Sequence, residues 1–359
     1  MRSGDIAGHE NCYHFAMLPP TVARRRMLVA LIGGALVTVG SPQSRTGTDG
    51  PALQKAPASK FVTVNGARLE YLDWGGDGAP LVFLAGLGGT AYVFNDLAPQ
   101  FVSNYHCFGL TRRGFGKSEQ TRNGYELDNL VLDIVSFGRS LGLRNITLVG
   151  HSYGGTEAVR ASELYPELIR RVILLDTAYD PIPSAAPPAE AKLFAALTRM
   201  TQEERVSSLG TYRDYEKSLL GNLWSDALEA DLRETVIVAK DGSISDRTPA
   251  RISRAIVSER AAGKWRITKI PVPSLLIFAN HPWMDYLPDL HLDEETTAEI
   301  VKAGAELEAA RRSQIDAFRR DSPLAKIVEL AHTVHHCFIQ RRGRVIEEMQ
   351  KFLADSPAR

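Results

Sequence analysis

One short stretch narrows what this chain can fold into more than any other. Ile146-Thr147-Leu148-Val149 runs into Gly150-His151-Ser152-Tyr153-Gly154-Gly155, and the residues that follow have helical composition. A strand, a sharp turn and a helix therefore follow one another. Glycines at 150 and 154 carry no Cβ, so strand and helix backbones can approach closely on either side of the serine. Such a turn holds a serine hydroxyl exposed at the tip of a sheet. A bare GxSxG string also arises by chance, so the flanking strand and helix carry the weight.

The rest of the chain repeats this alternation. Segments 61–64 and 68–74 read as two arms of a hairpin about Asn65-Gly66, a dipeptide suited to two-residue turns. Pro80-Leu81-Val82-Phe83-Leu84 is apolar without alternation, as in a strand covered on both faces, and ends in Ala85-Gly86-Leu87-Gly88-Gly89-Thr90. A helix is expected over 92–101, a strand over 106–110, a helix from Leu127 to about Leu141, a helix over 156–165 and a strand at Val172-Ile173-Leu174-Leu175, ending in Asp176. Further strands are expected at 271–278 and 327–331, a long charged helix over 293–320, and a closing amphipathic helix over 345–353. Strands alternating with helices make an α/β fold with a mostly parallel sheet, whose working site lies beyond the carboxyl ends of the strands.

Residues 181–270 break this rhythm. Proline-rich at the start, they carry helical patterns near 190–200, 215–224, 225–238 and 249–262, and read as a helical cap inserted over the strand ends. At the other end, Arg24-Arg25-Arg26 precedes an apolar run at 27–39 and then small and polar residues, the order of an export signal. The run is shorter than the roughly 20 residues of a bilayer span. The expected organisation is an export-signal region at 1–44, a linker at 45–59 and an α/β domain at 60–359, with no membrane span after signal cleavage; retention of the segment would leave a membrane anchor.

Charge excludes one class of partner. Acidic and basic residues number 42 each, so nothing marks the chain for nucleic acid. Three scattered cysteines make neither a disulfide framework nor a zinc site, and no cofactor or metal is expected.

A serine hydroxyl needs a general base in contact with it and an acid to orient that base. Of nine histidines, His335 and His336 stand in a loop after the expected last strand. His335 is the first choice, because Cys337-Phe338-Ile339 returns the chain to packing straight after His336; His151 is expected to point away from its neighbour Ser152. Asp176 is the first choice of acid, with Asp285 next and Asp180 or Asp289 open. Backbone N–H groups of Leu87 and Tyr153 are placed to receive a developing oxyanion.

Leu84-Ala85-Gly86-Leu87-Gly88-Gly89, Arg113-Gly114-Phe115-Gly116-Lys117-Ser118, Gly150-His151-Ser152-Tyr153-Gly154-Gly155 and the late His335 together resemble the α/β-hydrolase fold superfamily, over about 61–353. The resemblance implies an eight-stranded sheet, a Ser, acid, His order along the chain and an oxyanion hole from the turn after the third strand. Two departures stand out. Ala85 occupies the place where a histidine commonly braces that turn, and Pro282 stands where the usual acid follows the seventh strand; the family's rarer arrangement, with the acid after the sixth strand, matches Asp176. A serine nucleophile in place of aspartate argues against dehalogenase and epoxide hydrolase chemistry.

The function expected is hydrolysis of a carboxylic ester through an acyl-enzyme, by Ser152, His335 and Asp176 with Leu87 and Tyr153 on the oxyanion. The partner is a small molecule with an apolar acyl or aromatic group, for which Leu193, Phe194, Leu197 and Trp224 are candidate pocket residues. Amide, lactone, thioester or C–C cleavage and acyl transfer use the same groups. A non-catalytic binding protein on the same fold is the alternative of another class.

Overall fold

Asn65 and Gly66 both take positive φ, 46° and 69°, and so fold β1 (Ala58–Val64) onto β2 (Ala67–Gly75) as an antiparallel hairpin. This turn geometry matches the natural twist of the two strands. The computed structural model describes residues 57–177, 208–220, 223–261, 267, 269–280 and 293–355. The export-signal region at 1–44, the cap residues Leu193, Phe194 and Leu197, the expected helix near 190–200, and the candidate acids Asp180, Asp285 and Asp289 lie outside the described residues.

After β3 (Ala79–Leu84) the expected helix over 92–101 is two 3-10 turns, Ala91–Phe94 and Ala98–Phe101. Pro99 lies inside the second turn, where its missing N–H and its ring prevent a continuous helix. Next come β4 (Tyr105–Leu110), α1 (Leu127–Ser140), β5 (Ile146–His151), α2 (Tyr153–Leu164) and β6 (Ile169–Leu175).

The segment that follows β6 contains α3 (Leu209–Leu220), α4 (Asp226–Thr235), β7 (Val236–Val238), β8 (Ile244–Asp246) and α5 (Ala250–Ala261). The helix expected over 225–238 thus stops at Thr235, where the β-branched run Val236-Ile237-Val238 turns into a small hairpin. The one expected over 215–224 begins earlier, at Leu209, where the Ser208 hydroxyl accepts from the Thr211 N–H at 3.2 Å. The chain closes with β9 (Ser274–Ala279), α6 (Glu294–Asp321), β10 (Ala325–Leu330), α7 (Cys337–Gln340) and α8 (Arg342–Asp355).

Eight strands form one sheet in the order β1-β2-β4-β3-β5-β6-β9-β10. Pairs β1–β2 and β2–β4 are antiparallel and the other five are parallel. Both faces are covered, which explains why the central strands lack alternation. Val82, Leu148, Val172, Leu174 and Leu276 pack against α1, α2 and Ile315 and Phe318 of α6. Leu81, Phe83, Val149, Ile173 and Ile277 point the other way, onto Phe94, Phe338 and α8. Because β3, β5, β6, β9 and β10 run parallel, the loops that follow them leave from one rim. Among the described residues no helix is long and apolar enough to cross a membrane.

Candidate active site

The turn between β5 and α2 is built by exclusion of side chains. A Cβ at Gly150 would lie 2.4 Å from the Gly154 carbonyl oxygen, one at Gly154 2.3 Å from the Leu84 oxygen, and one at Gly155 2.1 Å from Thr177 Cγ2. Those neighbours leave room for glycine alone. Ser152 itself takes φ 51° and ψ −124°, a left-handed conformation costly for a residue with a Cβ. Its carbonyl is held by the Gly155 N–H at 2.9 Å and the Thr177 hydroxyl at 2.5 Å, and its N–H donates to the Leu175 oxygen at 3.2 Å. Backbone strain is thus offset by bonds on both sides of the residue.

Next to it, β6 ends in Asp176, 1% exposed and also at positive φ (48°). Asp176 Oδ1 accepts from the Ala279 N–H at 2.9 Å, and Oδ2 lies 2.7 Å from Nδ1 of the buried His335. A carboxylate oxygen can only accept, so Nδ1 carries the hydrogen of this bond. This acid and this imidazole are 159 positions apart in the chain.

His151 is not a bystander. Its Nε2–H donates to the His335 carbonyl oxygen at 3.1 Å, and its ring centroid lies 4.5 Å from that of His335, 5.0 Å from His336 and 4.9 Å from Phe338. Burial, then the neighbouring rings of His335 and His336, hold its pKa well below the ordinary imidazole value, so it stays neutral. His336 is half-buried and stands at the start of α7, as expected of the residue where the chain returns to packing.

On the other side of Ser152 lies the glycine-rich turn after β3. A Cβ on Gly86 would fall 3.2 Å from Ser152 Cβ and 3.1 Å from His151 Nδ1, so the turn rests directly against the serine. Gly88 has φ 90°, and the Gly89 N–H closes the turn on the Gly86 oxygen at 3.3 Å. Ala85 offers no side-chain brace, but the turn does not lack one. Arg112, at the end of β4, donates to the Ala85 oxygen at 2.8 Å and the Gly86 oxygen at 3.3 Å. Its other guanidinium edge pairs with both carboxylate oxygens of Glu157 on α2, each at 2.6 Å. Both side chains are buried; burial alone would lower the Arg112 pKa, but the Glu157 carboxylate outweighs it and raises it. From the opposite side Asp231 of α4 takes the Thr90 N–H and hydroxyl on one oxygen, at 2.7 Å each.

Arg112, Glu157 and Asp231 escaped the reading of the sequence. A trace of the first pair was present: an arginine at the end of a buried strand, and one glutamate among the small residues Gly154, Gly155, Thr156 and Ala158. Trp224 packs partly buried against the core.

A family model described as alpha/beta hydrolase fold matches residues 79–226. Over 101 residues the chain is 32% identical to 2-(acetamidomethylene)succinate hydrolase of Mesorhizobium japonicum, covering 28% of this chain and 36% of that one. Over 115 residues it is 33% identical to epoxide hydrolase 4 of Mus musculus, covering 31% and 32%. The chain thus spans about a third of the length of each of these relatives. Among solved structures, that of E-2-(acetamidomethylene)succinate hydrolase superposes with a TM-score of 0.58 at 18% identity, covering 83% of this chain and 99% of that one, which is a likeness of fold.

Proposed function

We propose that this chain, whose fold is that of the α/β hydrolases, is a serine hydrolase that cleaves carboxylic esters through an acyl-enzyme. In this reading Ser152 Oγ attacks the carbonyl carbon while His335 Nε2 takes its proton. The resulting imidazolium is stabilised by Asp176, and the N–H groups of Leu87 and Tyr153 receive the oxyanion. Collapse of the tetrahedral intermediate expels the alcohol, which takes the proton from His335. Water then repeats the sequence on the acyl-serine. The observation that carries the reading is the 2.7 Å bond between His335 and Asp176, beside a strained serine turn.

Serine also separates this chemistry from that of the epoxide hydrolases among its relatives. A serine that opened an epoxide would form an ether, with no carbonyl for water to attack, and the enzyme would be spent. Amide cleavage is the second reading, supported by the acetamido group in the name of one relative. The segment between β6 and β9 would act as the cap, and Trp224 would contribute to an apolar acyl pocket. The basic cluster before the apolar run at 27–39 supports export, which N-terminal sequencing of the protein recovered outside the cytoplasm would test.

The experiment is labelling with a fluorophosphonate probe, then turnover of a panel of short and long acyl esters and N-acyl amides. Wild type is expected to label and Ser152→Ala is not. A wild type that neither labels nor turns over any member of the panel would favour a non-catalytic binder.

A further inference from the structure

Leu87 is offered above as an oxyanion donor, and a donor works only if its N–H points at the place where charge appears. In a planar trans peptide the carbonyl of residue 86 and the N–H of residue 87 point in opposite directions. Whatever holds the Gly86 oxygen therefore aims the Leu87 N–H. Two groups hold it: the Gly89 N–H, which any tight turn supplies, and the Arg112 guanidinium, which comes from another strand. Arg112 also takes the Ala85 oxygen, so two successive carbonyls are drawn to the same side. Gly86 meanwhile rests against the Ser152 side chain.

The same guanidinium also stands over the side chain of Tyr153, the residue of the second donor. Its carbon stands 5.1 Å from the centroid of the Tyr153 ring, within range of a cation–π contact. A cation at the carbonyl end of a peptide also polarises the unit and strengthens its N–H as a donor. Glu157, sitting on α2 just beyond the serine turn, holds the guanidinium flat through two 2.6 Å bonds. The brace thus ties the turn after β3 to the helix that carries the nucleophile.

We propose that Arg112, clamped by Glu157, is the positioning residue of the oxyanion hole, aiming and polarising the Gly86–Leu87 peptide in place of the side chain that Ala85 lacks. This rests on the ester-hydrolase reading, and the test separates the two. Removing one partner of a buried ion pair destabilises a protein, whereas replacing both by apolar residues of similar volume is often tolerated. The variant of choice is therefore Arg112→Met/Glu157→Leu, compared with wild type and Ser152→Ala on a p-nitrophenyl ester.

If wild type shows Ser152-dependent turnover, the folded double variant is expected to lose about 10²-fold in kcat, the order of one oxyanion donor, with KM within about threefold. A trifluoromethyl ketone, which forms an oxyanion on the serine, should lose affinity in parallel. A purely structural pair would lower the Tm and leave that split unmoved, and a folded variant with kcat within about threefold of wild type overturns the proposal. If the double variant does not fold, Arg112→Lys decides. It keeps a cation opposite Glu157 but lacks the fork that spans both carbonyls and the carboxylate, so kcat should fall at least about tenfold at constant KM, and an unchanged kcat overturns the proposal. Absence of Ser152-dependent labelling and of turnover across the whole panel in wild type removes the ester-hydrolase reading and this inference with it.

Discussion

Two glycine-rich turns meet at the candidate site, and they are held in opposite ways. The turn at Ser152 is held from within: its glycines are enforced by backbone atoms of the adjoining turn and strand, and by Thr177 at the end of β6. The turn at Gly86 is held from without, by Arg112 at the end of β4 and Asp231 on α4, the second 141 positions away. They follow paired parallel strands, with Leu84 opposite Gly150. The contrast teaches that a steric device and a hydrogen-bonding device can produce neighbouring turns of similar composition, and that they should fail differently. Added bulk should break the first; removal of a distant partner should break the second.

The largest effect is expected from bulk. Gly150→Ala places a Cβ 2.4 Å from three backbone atoms that cannot yield, so it should cost more than about 4 kcal/mol or abolish folding, as read by urea denaturation. If the variant instead folds with wild-type stability, the turn is not held by steric exclusion. Loss of the acid should spare the fold and strike the rate: Asp176→Asn is expected to lower kcat by about 10³–10⁴-fold through the wrong imidazole tautomer. Should Asp176→Asn keep full turnover while Asp285→Asn abolishes it, the acid has been misassigned.

Asp231→Ala sharpens the comparison from the side of the Gly86 turn. It removes two charge-assisted bonds, for about 1–3 kcal/mol of stability and a tenfold or smaller loss in kcat, on the order of part of one donor. Thr90→Val, which loses the hydroxyl bond alone, should do less on both measures. An Asp231→Ala enzyme with unchanged kcat and Tm would show that α4 does not hold the turn.

The smallest effect concerns pH. His151 has a folded pKa well below its ordinary 6.5, so below that pH the unfolded chain takes up a proton that the folded chain refuses. Stability should therefore fall as pH drops through 6.5, by up to about 1.4 kcal/mol per unit until the folded pKa is reached. His151→Gln should flatten this slope in a Tm series from pH 7.5 to pH 5, at the values chosen for the measurement. An identical slope in the variant would show that His151 is not its source.

Much of the architecture was legible beforehand. The Asn65-Gly66 hairpin, the buried strands and the serine turn all appear where composition and spacing indicated, because each is decided by a few neighbouring residues. The errors are of a matching kind. At 92–101 a single proline outweighed helical pattern, and at 236–238 three β-branched residues outweighed the continuation of a helix. The pairing of Asp176 with His335 was one choice among several, since chain order alone leaves more than one carboxylate after a strand end.

The amino-acid order alone determined the local backbone of this protein: where strands alternate with helices, which turn can carry a strained serine, and the order of hydroxyl, carboxylate and imidazole along the chain. Tertiary structure decided which charged side chains are buried together. Arg112 and Glu157 are 45 positions apart, and nothing near either one marks the other as its partner. The physical reason is range. Steric exclusion at a glycine acts over a few ångströms from atoms adjacent in the chain or across a ladder, whereas a buried charge requires a partner that only the completed sheet brings within hydrogen-bonding distance.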